Sequence, residues 1–272
     1  MNNIEIIALA EKFIYDSPGN YITKEAALDP HCEGLKIYEA PIFAFGEAED
    51  EIYESYKSVD VIGSLFLSPT EWMPETKTVI SFFLPYTDII KTANARDNNW
   101  PANEWLHGRY EGQQLLSQLT EYLAKVISEA GYKTLIPSTD ARFEMKMGDS
   151  VENNSFAVSW SERHAAFACG LGTFGLSRGI ITKKGMAGRL GSLLTDLDLP
   201  KDSRTYKDIY EYCNMCGLCI DKCPAQAISY KEVMKHRLCS DFCNKVRAKE
   251  APRYGCGKCQ VGVPCESGIP KV

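Results

Sequence analysis

The sequence predicts a mixed α/β (α+β) chain in two parts, residues 1–200 and 201–272, and three observations carry that reading. Nine of the eleven cysteines fall after residue 212, at short chelating spacings. The residues ahead of them alternate helix-like and strand-like segments, with no internal repeat and no low-complexity tract. A polar, charged stretch, residues 197–211, lies between the two and reads as a linker.

The C-terminal part is the more explicit. It contains Cys213-Asn-Met-Cys216-Gly-Leu-Cys219-Ile-Asp-Lys-Cys223-Pro224. Three thiols at steps of three, a fourth after three intervening residues and then proline form the run in which bacterial ferredoxins hold one [4Fe–4S] cluster and lend the fourth ligand to a second. A zinc ribbon needs two separated Cys-x2-Cys pairs, and a thioredoxin-type site needs one. Downstream come Cys239, Cys243, Cys256, Cys259 and Cys265. A two-cluster domain needs eight ligands with one exchanged between halves. Cys213, Cys216, Cys219 and Cys265 are assigned to one cluster, and Cys223, Cys239, Cys256 and Cys259 to the other. Cys243 is the alternative to Cys239, since residues four apart share a helix face. The short helical turn that follows such a run is expected at Ala225–Ile228. His236 and Arg237 are read as surface or cluster-supporting residues.

Composition narrows the class. The 272 residues are 44% hydrophobic, enough for a real core, and the net charge is −6. That charge gives no support for nucleic-acid binding. The start, Met-Asn-Asn-Ile-Glu, lacks a signal-peptide pattern, and no apolar run approaches the ~20 residues of a membrane span. A cytoplasmic protein is expected, because thiolates must stay reduced to hold iron.

In chain order, residues 3–14 read as a helix and 22–60 as irregular, with the acidic residues 47–54 forming a solvated face. His31-Cys32 within it reads as incidental. Residues 78–84 read as a buried strand ended by Pro85, 87–104 as a polar connector, about 110–130 as the clearest helix, and 134–136 as a strand. Residues 137–159 lack regular pattern, which marks a functional loop. A helix over 162–169 and strands at 178–182 and 188–196 complete the body. Gly170-Leu-Gly172-Thr-Phe-Gly175 satisfies G-x-G-x-x-G, but it follows a helix and precedes a strand. The dinucleotide fingerprint requires the reverse order, so that reading is rejected.

The segment Ser161-Glu-Arg-His-Ala-Ala-Phe-Ala-Cys-Gly-Leu-Gly-Thr-Phe-Gly175, the strand Gly191-Ser-Leu-Leu-Thr-Asp196 and the ferredoxin run together resemble the epoxyqueuosine reductase family, with the corrinoid reductive dehalogenases as distant relatives. Leu-Pro-Tyr86 and Leu106-His-Gly-Arg109 agree in order, so the resemblance spans most of residues 75–265. It implies a nitroreductase-like α/β domain binding cobalamin, joined to a domain with two [4Fe–4S] clusters fed by an electron-donor protein. On that basis Arg109, Arg163 and the backbone at Gly170, Gly172 and Gly175 are the cofactor-binding candidates, with FMN as the alternative cofactor. The family's catalytic aspartate precedes its Glu-Arg pair in an Asp-Thr-Gly-Pro context. Here Phe156-Ala-Val-Ser-Trp-Ser161 stands instead, leaving Asp140 as the acid candidate. Two further departures are the five residues between Cys259 and Cys265, with proline before Cys265, and the end of the sequence at Val272 where many relatives continue into a helical-repeat region. With the acidic balance, the latter argues against a tRNA substrate. An electron-transfer module without its own substrate is the reading of a different class. The oligomeric state is not legible.

Overall fold

The computed structural model describes residues 1–150, 155–231 and 234–271. The helices and strands, in chain order, are α1 Asn3–Asp16, β1 Ile42–Glu47, α2 Ile52–Ser55, α3 Pro69–Trp72, β2 Thr78–Pro85, α4 Asp88–Ala95, α5 Asn103–Glu129, β3 Thr134–Leu135, β4 Met145–Met147, β5 Phe156–Val158, α6 Glu162–Ala168, β6 Gly172–Phe174, β7 Ile180–Thr182, β8 Gly188–Thr195, α7 Leu218–Asp221 and α8 His236–Glu250.

The body is a four-stranded sheet in the order β1-β2-β8-β3, antiparallel throughout. Every residue of β2 is buried. Ile80, Phe82 and Leu84 pack with α1 and the Leu115, Leu119 and Leu123 stripe of α5, while Val79 and Phe83 face α6 and its aromatic surroundings. Alternate side chains of a strand point to opposite faces. Two covered faces therefore require the continuous apolar run that marks this strand in the sequence.

Several boundaries differ from expectation, each for a tertiary reason. The long helix starts at Asn103, seven residues early, because Trp105, Leu106, His107 and Gly108 are buried by neighbouring elements. Gly108 and Gly112 admit the rings of Tyr86 and Tyr38; a Cβ would lie 2.8 Å from one and 2.7 Å from the other's hydroxyl. The supposed polar connector holds α4, whose Ile90, Ala93 and Asn94 are buried. The supposed irregular stretch contains β1. The supposed loop folds β4 onto β5 as an antiparallel pair, residues 151–154 of it lying outside the described residues.

Residues 197–211 are no free linker. Leu197, Leu199 and Tyr206 are buried, Phe45 and Asp202 exchange hydrogen bonds, and Arg204 pairs with Asp50 at 3.0 Å. Asp50 thus leaves the solvated acidic face, on which Glu47, Glu49, Glu51 and Glu54 remain. Ala225–Ile228 forms no helical turn: the chain turns at 224–225 and runs on irregularly, with Gln226 at φ 51.

The cysteine-rich lobe is pressed against the body at two places. Gly257, at φ 66, lies so close to Trp105 that a Cβ would stand 1.8 Å from its ring. The buried Lys258 donates to the carbonyl of Asn94 at 2.8 Å, and the Asn94 amide donates to the Cys256 carbonyl at 3.0 Å. At the other place the β7–β8 turn receives the Cys265 segment: Met186 N–H donates to the Cys265 carbonyl at 2.9 Å. Gly257→Ala combines a strained left-handed side chain with overpacking, so a loss of at least about 1–3 kcal/mol is expected. A lower denaturant midpoint without a change in helix content will show it.

Candidate functional site

The nine C-terminal thiols gather in two groups. Burial pushes Cys265 up to about 12, and the thiols of Cys213, Cys219 and Cys216 push the same way, so these four share one neighbourhood. Cys259 is raised by burial and then by Cys256, Cys239 and Cys223. These form the second neighbourhood. Cys239 and Cys243, one turn apart on α8, hydrogen-bond to each other, and Cys243 also feels Cys256 and Cys259. Both face the same group, so the choice between them stays open.

The backbone suits such a site. Met215 and Gly217 adopt φ 52 and φ 79, left-handed backbone on either side of Cys216 that lets the chain turn tightly between the chelating cysteines. A single tetrahedral zinc ion, with Zn–S near 2.3 Å, would hold its sulfurs about 3.8 Å apart. Among the described residues, no three of these thiols lie within 4.8 Å of one another.

Beside the second thiol group lies a cavity of about 310 Å³, open on one side and lined by Arg109, Trp160, Glu162, Arg163, Arg189 and Gln260 among others. α5 brings Arg109, the first turn of α6 brings Glu162 and Arg163, β8 brings Arg189, and the C-terminal lobe brings Gln260. The site is thus a seam between body and lobe. Burial, then the neighbouring Arg189, lowers Arg109 to about 10; its guanidinium lies 4.6 Å from the Tyr254 ring centre. Burial of its charge in the cleft lowers Arg163, with Arg189 pushing the same way and Cys259 and Cys239 opposing through space, although part of its side chain remains accessible. Arg189 is braced by Gln113 at 3.1 Å.

Glu162 is the unusual acid here. Burial raises it to about 7, against the opposing pull of the Ser192 hydroxyl and Arg189. The Ser192 oxygen accepts from Trp160 Nε1 at 2.9 Å, leaving its own hydrogen for the carboxyl. A second, smaller cavity of about 170 Å³ adjoins the first and shares Glu162, Arg189 and Leu190 with it. Glu162 therefore stands in the wall between two spaces, with a proton to give near neutral pH.

Two atoms at this seam are buried without partners, Arg109 Nη1 and Glu162 Oε2. Each costs about 1–3 kcal/mol left unmade, more where charged. Three guanidiniums with apolar walls suit a flat cofactor bearing amide or phosphate oxygens. The enclosed volume is at the low end of the ~300–1,000 Å³ typical of such sites, so a larger cofactor must extend through the open side.

Other sequence candidates fall elsewhere. Asp140 is held by Arg142 through Nε at 2.9 Å and Nη2 at 3.0 Å, which lowers it to about 2. A carboxylate so held is a poor proton donor, and it does not line the cavity. Gly170 is the left-handed stop of α6, where Leu171 N–H returns to the Ala166 carbonyl at 2.9 Å. Gly172 admits the Ile181 carbonyl, 2.2 Å from where a Cβ would be. Neither these glycines nor Gly175 line the cavity; Gly179 and Gly188 do. Sequence reasoning passed over Arg189, although a charge inside an otherwise buried strand was the available signal. It treated Glu162 only as part of a motif.

Residues 206–229 match a family model for a 4Fe-4S binding domain. The chain is 28% identical over 205 residues to the epoxyqueuosine reductase of Atelocyanobacterium thalassa (isolate ALOHA), covering 70% of this chain and 59% of that protein. The solved structure of epoxyqueuosine reductase from Streptococcus thermophilus covers 100% of this chain and 68% of its own, with TM-score 0.53 and 19% identity. A reductive dehalogenase structure described for B12-dependent dehalogenation covers 97% of this chain and 37% of its own, with TM-score 0.54 and 14% identity. At such identities the structural likeness speaks for the fold. The chain spans 59% and 60% of the length of two of the curated epoxyqueuosine reductases it matches, and 12–20% of the tetrachloroethene reductive dehalogenases. Among the described residues no helix is long and apolar enough to cross a membrane.

Because its native value is raised, Glu162 keeps in the folded state a proton that the unfolded chain releases. Stability therefore falls as pH rises from about 4.5 to 7 and is level above, by up to about 3 kcal/mol in the cofactor-free protein. Denaturant midpoints across pH 5–8 are expected to show this decline, and Glu162→Gln to flatten it.

Proposed function

Taking the chain as an epoxyqueuosine reductase-like protein with corrinoid-enzyme relatives, we propose that it is an iron–sulfur oxidoreductase with two [4Fe–4S] clusters, whose nitroreductase-like body binds a corrinoid in the seam cavity. The observation that carries this reading is the adjacency of the cavity to the second thiol group: Arg163 lines the cavity and lies within the electrostatic reach of Cys259 and Cys239. A cluster there stands beside whatever fills the cavity. Cys223 belongs to the ferredoxin run yet acts on Cys259, so the chain itself links the two cluster sites.

A corrinoid, when bound, supplies a metal centre that passes from one-electron to two-electron chemistry, which cluster carriers alone do not. Within this reading the protein's own residues divide the work. Arg109, Arg163 and Arg189 hold oxygen atoms of the cofactor's periphery. Trp160 and the apolar strand residues exclude water. Glu162, and not Asp140, holds the proton that a reduced substrate takes up, at Oε2 in the wall between the cavities. The acidic balance, net charge −6, favours a small-molecule substrate over tRNA, and reducing equivalents would come from a donor protein.

The test is anaerobic purification, cluster reconstitution and titration with cob(II)alamin and, separately, FMN. Saturable binding of cob(II)alamin with a base-off EPR spectrum is expected; binding of FMN alone would replace corrinoid by flavin, and binding of neither would remove the cofactor assignment. Arg109→Ala should weaken cob(II)alamin binding by roughly tenfold or more, as loss of a charged hydrogen bond of about 1.5–3 kcal/mol implies. Iron analysis should give about eight atoms per chain, and four would remove the second cluster. Reduction of an epoxyqueuosine-modified tRNA stem loop would overturn the exclusion of tRNA.

A further inference from the structure

Far along the sequence from the cluster cysteines, the N-terminal loop meets the first turn of α5. Cys32 is fully buried and Glu104 nearly so, while His31 closes the group from the solvent side. His31 Nε2 lies 3.1 Å from Glu104 Oε1 and 3.7 Å from Cys32 Sγ. All three atoms lie within 4.8 Å of one another, the one such triad among the described residues. Zinc bond lengths of about 2.0–2.1 Å to nitrogen and oxygen and about 2.3 Å to sulfur place tetrahedral N–O and N–S edges near 3.3 and 3.6 Å. The observed edges agree to within a few tenths of an ångström.

The outer contacts have the arrangement that zinc-binding histidines need. Asp29 binds His31 Nδ1 and also caps the 3-10 turn Pro30–Cys32 by accepting from His31 N–H at 3.1 Å. A carboxylate on the far nitrogen orients the ring and leaves Nε2 with its lone pair toward the other two ligands. An imidazolium between two carboxylates would account for Asp29, His31 and Glu104 but not for a buried thiol at the same nitrogen. Among the described residues, the cation that acts on Cys32 through space is Arg253, and its guanidinium is engaged elsewhere. Arg253 is taken by Glu111 at 2.5 Å. His107 accepts from Leu28 N–H at Nε2 and gives its other nitrogen to Glu111, so neither nitrogen is left for this group.

We propose that His31, Cys32 and Glu104 form a binding site for a divalent cation of the zinc class, independent of the iron–sulfur clusters, with the fourth position open to water on the exposed side of His31. A mixed nitrogen, sulfur and oxygen set is the choice of zinc over magnesium or calcium. The bound ion ties the loop over residues 22–40 to the start of α5, the helix that carries Trp105 and Arg109.

The full chain, purified anaerobically with clusters in place from zinc-supplemented medium, is analysed for zinc and iron and by zinc-edge X-ray absorption. One zinc per chain with a single sulfur neighbour is expected. Cys32→Ser and His31→Ala lose it with iron content unchanged, and Asp29→Asn weakens zinc 10- to 100-fold. A zinc-free protein overturns the proposal. So does zinc retained in Cys32→Ser, or an all-sulfur shell, which would put the metal on the cluster cysteines. The wild-type absorption spectrum decides the matter even where a variant fails to fold.

Discussion

The seating of Gly255-Cys256-Gly257-Lys258 on α4 and α5 is the contact on which the rest depends. Gly257 has no room for a side chain against Trp105, and Gly255 has little against Arg109, where a Cβ would lie 2.8 Å from the side chain. The buried ammonium of Lys258 donates to the Asn94 backbone carbonyl, the buried amide of Asn94 donates to the Cys256 carbonyl, and Asn94 Oδ1 accepts from Ala102 N–H at 3.1 Å. A buried amine without that carbonyl would be strongly unfavourable. The same few atoms thus position a chelating cysteine pair and fix the backbone at Ala102, where the long helix begins.

Behind that seam stands a sheet buried on both faces. Because α5 covers one face and α6 the other, β8 can carry Arg189 from its exposed end toward the cavity while Leu193 and Leu194 anchor it in the two cores. Rigid elements, and not loops, hold Arg109, Glu162 and Arg189. Such support keeps charged groups in place without a ligand, at the cost of unmade hydrogen bonds at Arg109 and Glu162. The electrostatics follow: arginines lowered and a glutamate raised within one cleft are the mark of a site whose charges await a partner.

Elements whose pattern is local were legible in the chain. The apolar run of β2, the leucine stripe of α5 and the rejection of the dinucleotide fingerprint all match the structure, where Gly172 opens β6 after α6. The elements missed are those whose stability comes from elsewhere. α4 reads as polar because its Lys91 and Asn94 make bonds to the distant Ser267 and Cys256. Residues 197–211 read as a linker because charged residues alternate with the few buried ones that hold them down. The His31-Cys32 pair gained a third member, Glu104, only through folding.

The sequence by itself determined the inorganic chemistry, since chelating steps of three and four residues are local and tolerate few other uses. It also determined the order of body and cluster lobe. Tertiary structure alone decided which acid and which arginines share a cavity. Glu162, Arg109, Arg189 and Gln260 come from four separate segments, and Asp140, the nearer choice by sequence, is neutralised by Arg142 two residues away. Proton affinity depends on burial and neighbouring charge, and neither is a property of the chain before it folds.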